Sequence, residues 1–277
     1  MRESKFVSLL LVAPALAILL AFFVTPLGYS LITAFVAEDG TLTTAHFAKA
    51  FEFYSRDIWF TGVIVGLSTV LIAVIAVAIG GYLVLGDSAR AVAILKWLYR
   101  WPLFIPFIVA GQMMRSFLAK NGLMNNTFVS LGLLDPLQAT SFLDWQGLII
   151  TFVWKQTPFV ALLVAGAMAS LDPSTIEAAR NLGAKRLRIL IEIIVPQVRR
   201  TLVVGLILSF VAMMSVLSVP LMISGESPTM MTVDMAFRIN FYGDYGVANA
   251  LGFTSYLITA AAAWFYLRQG VREGAEP

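Results

Sequence analysis

Six runs of predominantly apolar residues, each long enough to cross about 30 Å of hydrocarbon as helix at roughly 1.5 Å per residue, recur along this chain of 277 residues. They are Val7 to Ile32, Phe60 to Leu85, Trp97 to Phe117, Gln146 to Ser170, Leu202 to Ile223 and Val247 to Leu267. Lipid offers no hydrogen bonds to a bare backbone, so only helices and closed barrels cross it. The runs are continuous rather than alternating, which sets aside barrel strands. Composition agrees, with 59% of residues hydrophobic and 13% charged, against about 25% charged in soluble domains. The fold class is therefore all-α: a polytopic membrane protein with six transmembrane helices, read as one transmembrane domain over residues 1–277.

The basic residues orient these helices. One side gathers Arg2, Lys5, Arg90, Lys96, Arg100, Arg180, Lys185, Arg186, Arg188, Arg199, Arg200, Arg268 and Arg272, while the other carries Lys49, Arg56, Arg115, Lys120 and Arg238. The rule that cytoplasmic loops are rich in Lys and Arg assigns the first side, and with it both termini, to the cytoplasm. Arg2 and Lys5 ahead of Ala15-Leu16-Ala17 resemble a cleaved leader, but the apolar run continues through Ile18 to Val24, so the segment is read as a retained span.

Several chemistries are excluded or unsupported. There is no cysteine, which removes disulfides and thiolate metal sites. His46, the single histidine, is read as a solvated residue of the first external loop and not as a metal ligand. Asn125-Asn126-Thr127 matches a glycosylation triplet and is assigned no role. The chain has no Gly-Lys-Ser or Gly-Lys-Thr phosphate loop, no nucleophile elbow and no zinc helix motif. It is expected to bind no cofactor, to hold no catalytic residue and to engage no nucleic acid.

Residues 171–201, between the fourth and fifth spans, are different in kind: polar, basic and punctuated as helix. Ser174 followed by Glu177 fits a capping box behind Pro173, so a short helix is predicted from Thr175 through Ile176, Ala178, Ala179 and Leu182. Gly183 stops it. Leu187, Leu190, Ile191 and Ile194 then resume helical spacing before Pro196, predicting two small amphipathic helices bent at Gly183. Such a knob offers Glu177 and Ala178 to a docking protein. Its basic residues Arg180, Lys185, Arg186 and Arg188 equally suit anionic lipid headgroups.

Glu177-Ala178-Ala179, then Gly183, Ile193 and Val195-Pro196, resembles the EAA signature of binding-protein-dependent ABC importer permeases; only Val195 departs, standing where the family usually has leucine. Asn121-Gly122-Leu123-Met124-Asn125, Leu131-Gly132-Leu133 and Leu171-Asp172-Pro173 are most similar to the spermidine/putrescine-type permeases. Trp154-Lys155 with Pro158-Phe159 is similar instead to sugar permeases of the MalF type. The resemblance covers nearly the whole chain, from Pro14 and Pro26 to Tyr245-Gly246-Val247-Ala248. It implies a bacterial inner-membrane importer subunit working with a second permease subunit, read as a different chain, an external solute-binding protein and two cytoplasmic ATPase subunits, which use the ATP and Mg. The ATPase coupling role falls by resemblance on Glu177, Ala178, Ala179, Gly183, Ala184 and Pro196.

The solute is expected to be small and polar: a polyamine, an amino compound or a sugar. Polar residues inside spans are the candidate pathway, because a charge at the bilayer centre costs at least about 2.5 kcal/mol on insertion scales. Lys155 and Gln156 lead, followed by Gln112, Ser215, Ser218 and Asn249. Gly62 and Gly66 are read as sites of close helix packing. Pro102, Pro106, Pro158 and Pro220 are expected to interrupt helices, Met213, Met214, Met222, Met230 and Met231 to pack them. Glu226, Asp234 and Asp244 are read as exposed loop residues. Two other function classes share these spans, a gradient-driven secondary carrier or channel of the inner membrane and a non-transporting scaffold. The carrier normally requires charge pairs within its spans, and Lys155 has no evident carboxylate to match it.

Overall fold

The computed structural model describes residues 2–37, 39–224 and 227–272, with side chains from 10 to 264 among them. Glu226 lies outside the described residues, as do the side chains of Arg2, Lys5, Arg268 and Arg272. The architecture is all-α, and one isolated bridge, Val36 to Leu42, is the extended pairing among the described residues.

The first span is α1 (Arg2–Leu19), a π-turn (Leu20–Val24) and α2 (Thr25–Phe35). Pro26 has no N–H to donate back along a regular α-helix, and the wider π-turn ahead of it takes up the mismatch. The Thr25 hydroxyl donates to the Leu20 carbonyl at 3.0 Å, satisfying one group of that turn. Every side chain from Leu10 to Leu27 is exposed. The apolar surface of this stretch is therefore matched to lipid or to another subunit, whereas Ala34 at the end of the span is buried in its own chain.

Helix α3 (Ala45–Leu85) has 41 residues, which is roughly 60 Å of helix against about 30 Å of hydrocarbon. The helix thus begins 15 residues ahead of Phe60, where the expected span starts. His46 belongs to this helix instead of a loop; it is part-buried, its Nε2 is 3.2 Å from the Val36 carbonyl, and Gly246 lies against its ring. A Cβ at 246 would come within 2.3 Å of the imidazole, so a larger residue there would displace the His46 ring.

The third span is broken. It comprises α4 (Ala89–Leu98), a 3-10 turn (Trp101–Phe104) and α5 (Phe107–Leu118), followed by α6 (Leu123–Ser130). The axes of Ala89–Phe104 and Phe107–Ser130 differ by 109°. Pro106 forces its predecessor Ile105 to an extended conformation (φ −89°, ψ 122°), and no helix continues through such a residue. Helix α7 (Trp145–Ala169), in contrast, runs unbroken past Pro158, so that proline does not interrupt it as expected. Counting the broken segment as one crossing, there are six candidate spans among the described residues.

Helices α8 (Pro173–Asn181) and α9 (Arg186–Ile189) form the loop after α7. A second π-turn, Leu190–Ile194, joins α9 directly to α10 (Val195–Ser215), with Pro196 two residues past the turn just as Pro26 is in the first span. The second half of the loop is thus the start of the fifth crossing, not a separate small helix. That crossing also ends early: Val216 is extended, and α11 (Ser218–Ile223), with Pro220 inside it, is a separate turn packed on α5. Arg115 reaches from α5 to the Met222 carbonyl at 2.9 Å, and Gly111 lets the two helices approach. Helix α12 (Met231–Phe237), a π-turn (Arg238–Tyr242) and α13 (Tyr245–Arg272) complete the chain.

Two compact units result. The first comprises residues up to Ser55 with Asp234–Tyr256. It is closed by the rings of Phe35, Phe47 and Phe253 and by Arg238, whose guanidinium lies over Phe53, Tyr54 and Tyr242 and pairs with Asp244 at 3.4 Å. Asp244 also caps α13 through the Val247 N–H at 3.0 Å, and Asp234 is 7% exposed, so neither is the free loop carboxylate that the sequence suggests. The second unit, Arg56–Val233 with the residues from Leu257, is centred on Leu148, Phe152, Val160, Ala161, Val164 and Met168 of α7. Met213, Met214, Met230 and Met231 are buried there, while Met222 is part-buried. Close packing falls on other glycines, such as Gly80 against Met168; around Gly62 and Gly66 an added Cβ would meet nothing within 4 Å.

Candidate coupling loop and solute pathway

The knob is built by its two ends. Asp172, not Ser174, caps α8: its Oδ1 accepts the Ser174 N–H at 2.9 Å and its Oδ2 accepts the Ser174 hydroxyl at 2.6 Å. Pro173 decides this, because a residue with fixed φ and no N–H suits the first helical position and leaves the cap to the residue before it. The hydroxyl and then the N–H of Ser174 hold the Asp172 carboxyl below the usual carboxylate range. At the other end Gly183 adopts φ +78°, the Gly183 N–H donates to Arg180 O at 2.9 Å and the Ala184 N–H to Ala179 O at 3.0 Å. This 6→1 and 5→2 pair is a Schellman closure, and it explains the glycine at 183.

Ala179 is 8% exposed, whereas Glu177 and Ala178 are exposed on the outer side of α8. Leu182 is 89% exposed beside them. Helical spacing puts Leu182 in the apolar stripe of α8, but as the helix's C-cap it turns outward, so the sequence reading missed it as a surface residue. Ala179, Leu182, Gly183, Ala184, Arg188, Ile189, Glu192 and Ile193 line a groove of about 320 Å³. Pro196 is exposed, one turn beyond this groove. Two contacts tie the knob to the end of α3: Arg186 pairs with Asp87, and Leu190 lies so close to Gly81 that a Cβ there would come within 2.7 Å of it. Neither Asp87 nor Gly81 carries a sequence signal, since both owe their role to a partner about 100 residues away.

The pathway candidates disperse. Gln112 lines an open groove of about 880 Å³ with Ile108, Val109, Met113, Ile150 and Trp154. Lys155 is 7% exposed, and its ammonium donates to the Leu103 carbonyl at 3.4 Å and sits 5.1 Å from the centroid of the Phe107 ring. Gln156 is 6% exposed beside it. Ser215 donates to Ala212 O at 3.1 Å within α10, and Ser218 opens α11. Asn249 accepts the Ser30 hydroxyl at 2.7 Å, which makes it a tie between the first and last spans. One groove thus collects Gln112, and the structure brings none of the other five into it.

Residues 91–269 match the family described as the binding-protein-dependent transport system inner membrane component. The chain belongs to that family. This permease is 25% identical over 95% of its length to the sulfoquinovosyl glycerol transport system permease protein SmoG of Agrobacterium fabrum, covering 90% of that protein. It is 27% identical over 64% of its length to the spermidine/putrescine transport system permease protein PotB of Escherichia coli, covering 66% of it. Its fold matches a chain of a bacterial ABC transporter involved in import of the acidic polysaccharide alginate, with a TM-score of 0.76, 20% identity and 96% of each chain covered. This permease is accordingly the transmembrane component of an ABC importer, a multi-pass inner-membrane protein, and its family is not itself catalytic.

Proposed function

We propose that this permease passes the closure of two cytoplasmic ATPase subunits to its spans through residues 171–201, with Glu177, Ala178 and Leu182 as the touching surface. Ala179, Gly183 and Ala184 hold that surface in shape, and Pro196 sets the phase of the helix leading away from it. The observation that carries this reading is the Schellman-closed knob, rigid at both ends yet bearing an almost fully exposed leucine. An exposed apolar side chain on a rigid, polar knob is what a partner's pocket anchors on. ATP and Mg are used by the ATPase subunits, whose closure favours an outward-facing cavity formed with a second, different permease chain. Both termini and the knob then face the cytoplasm, as the basic residues require.

The solute that fits best is polyhydroxylated, handed over by an external binding protein. Trp154 and Phe117 give the larger groove aromatic faces, and Gln112 and Ser116 an amide and a hydroxyl among otherwise apolar neighbours, a lining that suits a sugar ring. No carboxylate is among its lining residues to neutralise a polyamine. The likeness to a glycoside permease over nearly the full chain supports the same reading.

Purification tests the coupling role. The assembled importer should carry an ATPase and a second permease, and Glu177→Arg should leave membrane insertion intact while abolishing transport. A complex without an ATPase, or full transport by the Glu177→Arg protein, would refute it. The solute is tested on the external binding protein, whose melting temperature should rise with sugars and not with spermidine or putrescine.

A further inference from the structure

A lysine buried in a membrane span needs a reason, because neither lipid nor apolar side chains solvate an ammonium. The reason on view is the broken third span. Where Ile105 and Pro106 interrupt the helix, the Leu103 carbonyl stands at the end of a 3-10 turn, and residue 107 cannot close on it as it would in a continuous helix. The Lys155 ammonium accounts for that carbonyl at 3.4 Å and rests over the face of Phe107 on the far side of the break. Pro102 is buried against the same region, and the 3-10 turn packs on α7. One side chain of the fourth span therefore grips both lips of the break in the third.

We propose that Lys155 is a positioning residue: a strut that fixes the angle between α4 and α5 by holding the Leu103 carbonyl and the Phe107 ring to α7. It acts through the backbone of the third span and does not touch the solute. Neighbouring Trp154 and Gln156 flank it in sequence, but the two groups that receive its charge belong to the break itself. The inference stands independently of the solute and of the coupling loop.

The chain has no cysteine, so spin labels can be placed singly. Ile94→Cys on α4 and Phe117→Cys on α5, at 58% and 39% exposure, report the distance across the break by double electron–electron resonance, with the assembled importer in lipid nanodiscs. The parent should give one narrow distribution and Lys155→Met a broadened or shifted one, populating a second conformer by about five-fold more, the scale of one ordinary hydrogen bond. Lys155→Arg, which keeps the cation and the donors, should restore the narrow form. Should Lys155→Met fail to assemble, Phe107→Leu removes one receiving group while leaving the lysine in place, and should broaden the distribution part-way. A parental distribution in Lys155→Met, or in Phe107→Leu if that is the variant measured, overturns the proposal; so does a Lys155→Arg protein as broad as Lys155→Met. An unchanged distance with a changed solute affinity would return Lys155 to the pathway.

Discussion

At the scale of single residues, the most exacting positions are glycines, and two of them fail for different reasons when changed. Gly183 has open space around it but a positive φ, so alanine there meets no neighbour and still carries the left-handed penalty of about 1–2 kcal/mol. Gly183→Ala should therefore fold and insert, yet exchange the amide hydrogens of residues 183 and 184 roughly ten-fold faster, since the closing bonds to Arg180 and Ala179 open more often. Gly147 is the reverse case. A Cβ there would come within 2.0 Å of the Phe142 backbone oxygen, an atom that cannot move aside as a flexible side chain would. Gly147→Ala is expected to lose most of its folded yield, measured as monodisperse protein after detergent extraction. The sequence marks Gly183 as a helix stop and is silent on Gly147, because φ at a helix end follows from local pattern whereas a collision with residue 142 follows from a turn that only the folded chain makes.

At the scale of elements, caps and wide turns decide where the loop stops being a loop. Asp172 caps α8, and its carboxyl is held below its ordinary range by Ser174. A group whose folded pKa is depressed stabilises above its unfolded pKa, and that contribution disappears as pH falls through the folded value. Amide protection over 173–182 should accordingly be steady from neutral pH down to about 4 and fall below it, the unperturbed aspartate value marking the onset. Asp172→Ala should lower protection at neutral pH and flatten this dependence; an unchanged profile would show that Asp172 is not the cap that matters. Pro196 makes the second element-scale case. Ile189, Ile194 and Val198 are the buried positions of the arm, spaced five and then four because the π-turn inserts an extra residue between them. Pro196→Ala removes the reason for that turn and should re-phase α9 by about 100°, the angle of one residue on an α-helix. Arg186 would then leave Asp87, and cross-linking of Asp87→Cys to Arg186→Cys by a bismaleimide long enough to replace the Asp–Arg pair should drop in the Pro196→Ala background.

At the scale of the whole molecule, orientation is the property with the most direct check. Cysteines introduced for Lys185 and Lys120 into this cysteine-free chain should react with an impermeant maleimide from opposite sides of the membrane, the first only once the cytoplasmic face is opened. Labelling of position 185 in intact cells would reverse the topology and remove the knob from any ATPase. Length also matters here: α3 continues well beyond one hydrocarbon thickness, with Lys49, Glu52, Arg56 and Asp57 in its first part. Hydropathy located the apolar half of that helix and left its polar beginning unassigned, because a helix outside the bilayer has no apolar run to announce it.

What the amino-acid order determined unaided is the number and helical nature of the crossings, the exposed signature of the knob and the family it belongs to. These depend on local quantities: runs of side chains that water rejects, a proline or glycine with few backbone options, and spacings within one or two turns. What only the tertiary structure decided is where polar groups spend their hydrogen bonds. Nothing near Lys155 in the sequence announces the Leu103 carbonyl, 52 positions away, and nothing near Asn249 announces Ser30, 219 positions away. A charged or amide group in a span must find a partner, but sequence does not disclose which one, since the partner is chosen by helix packing across the chain and the cost of leaving it unmet is the same wherever it lies.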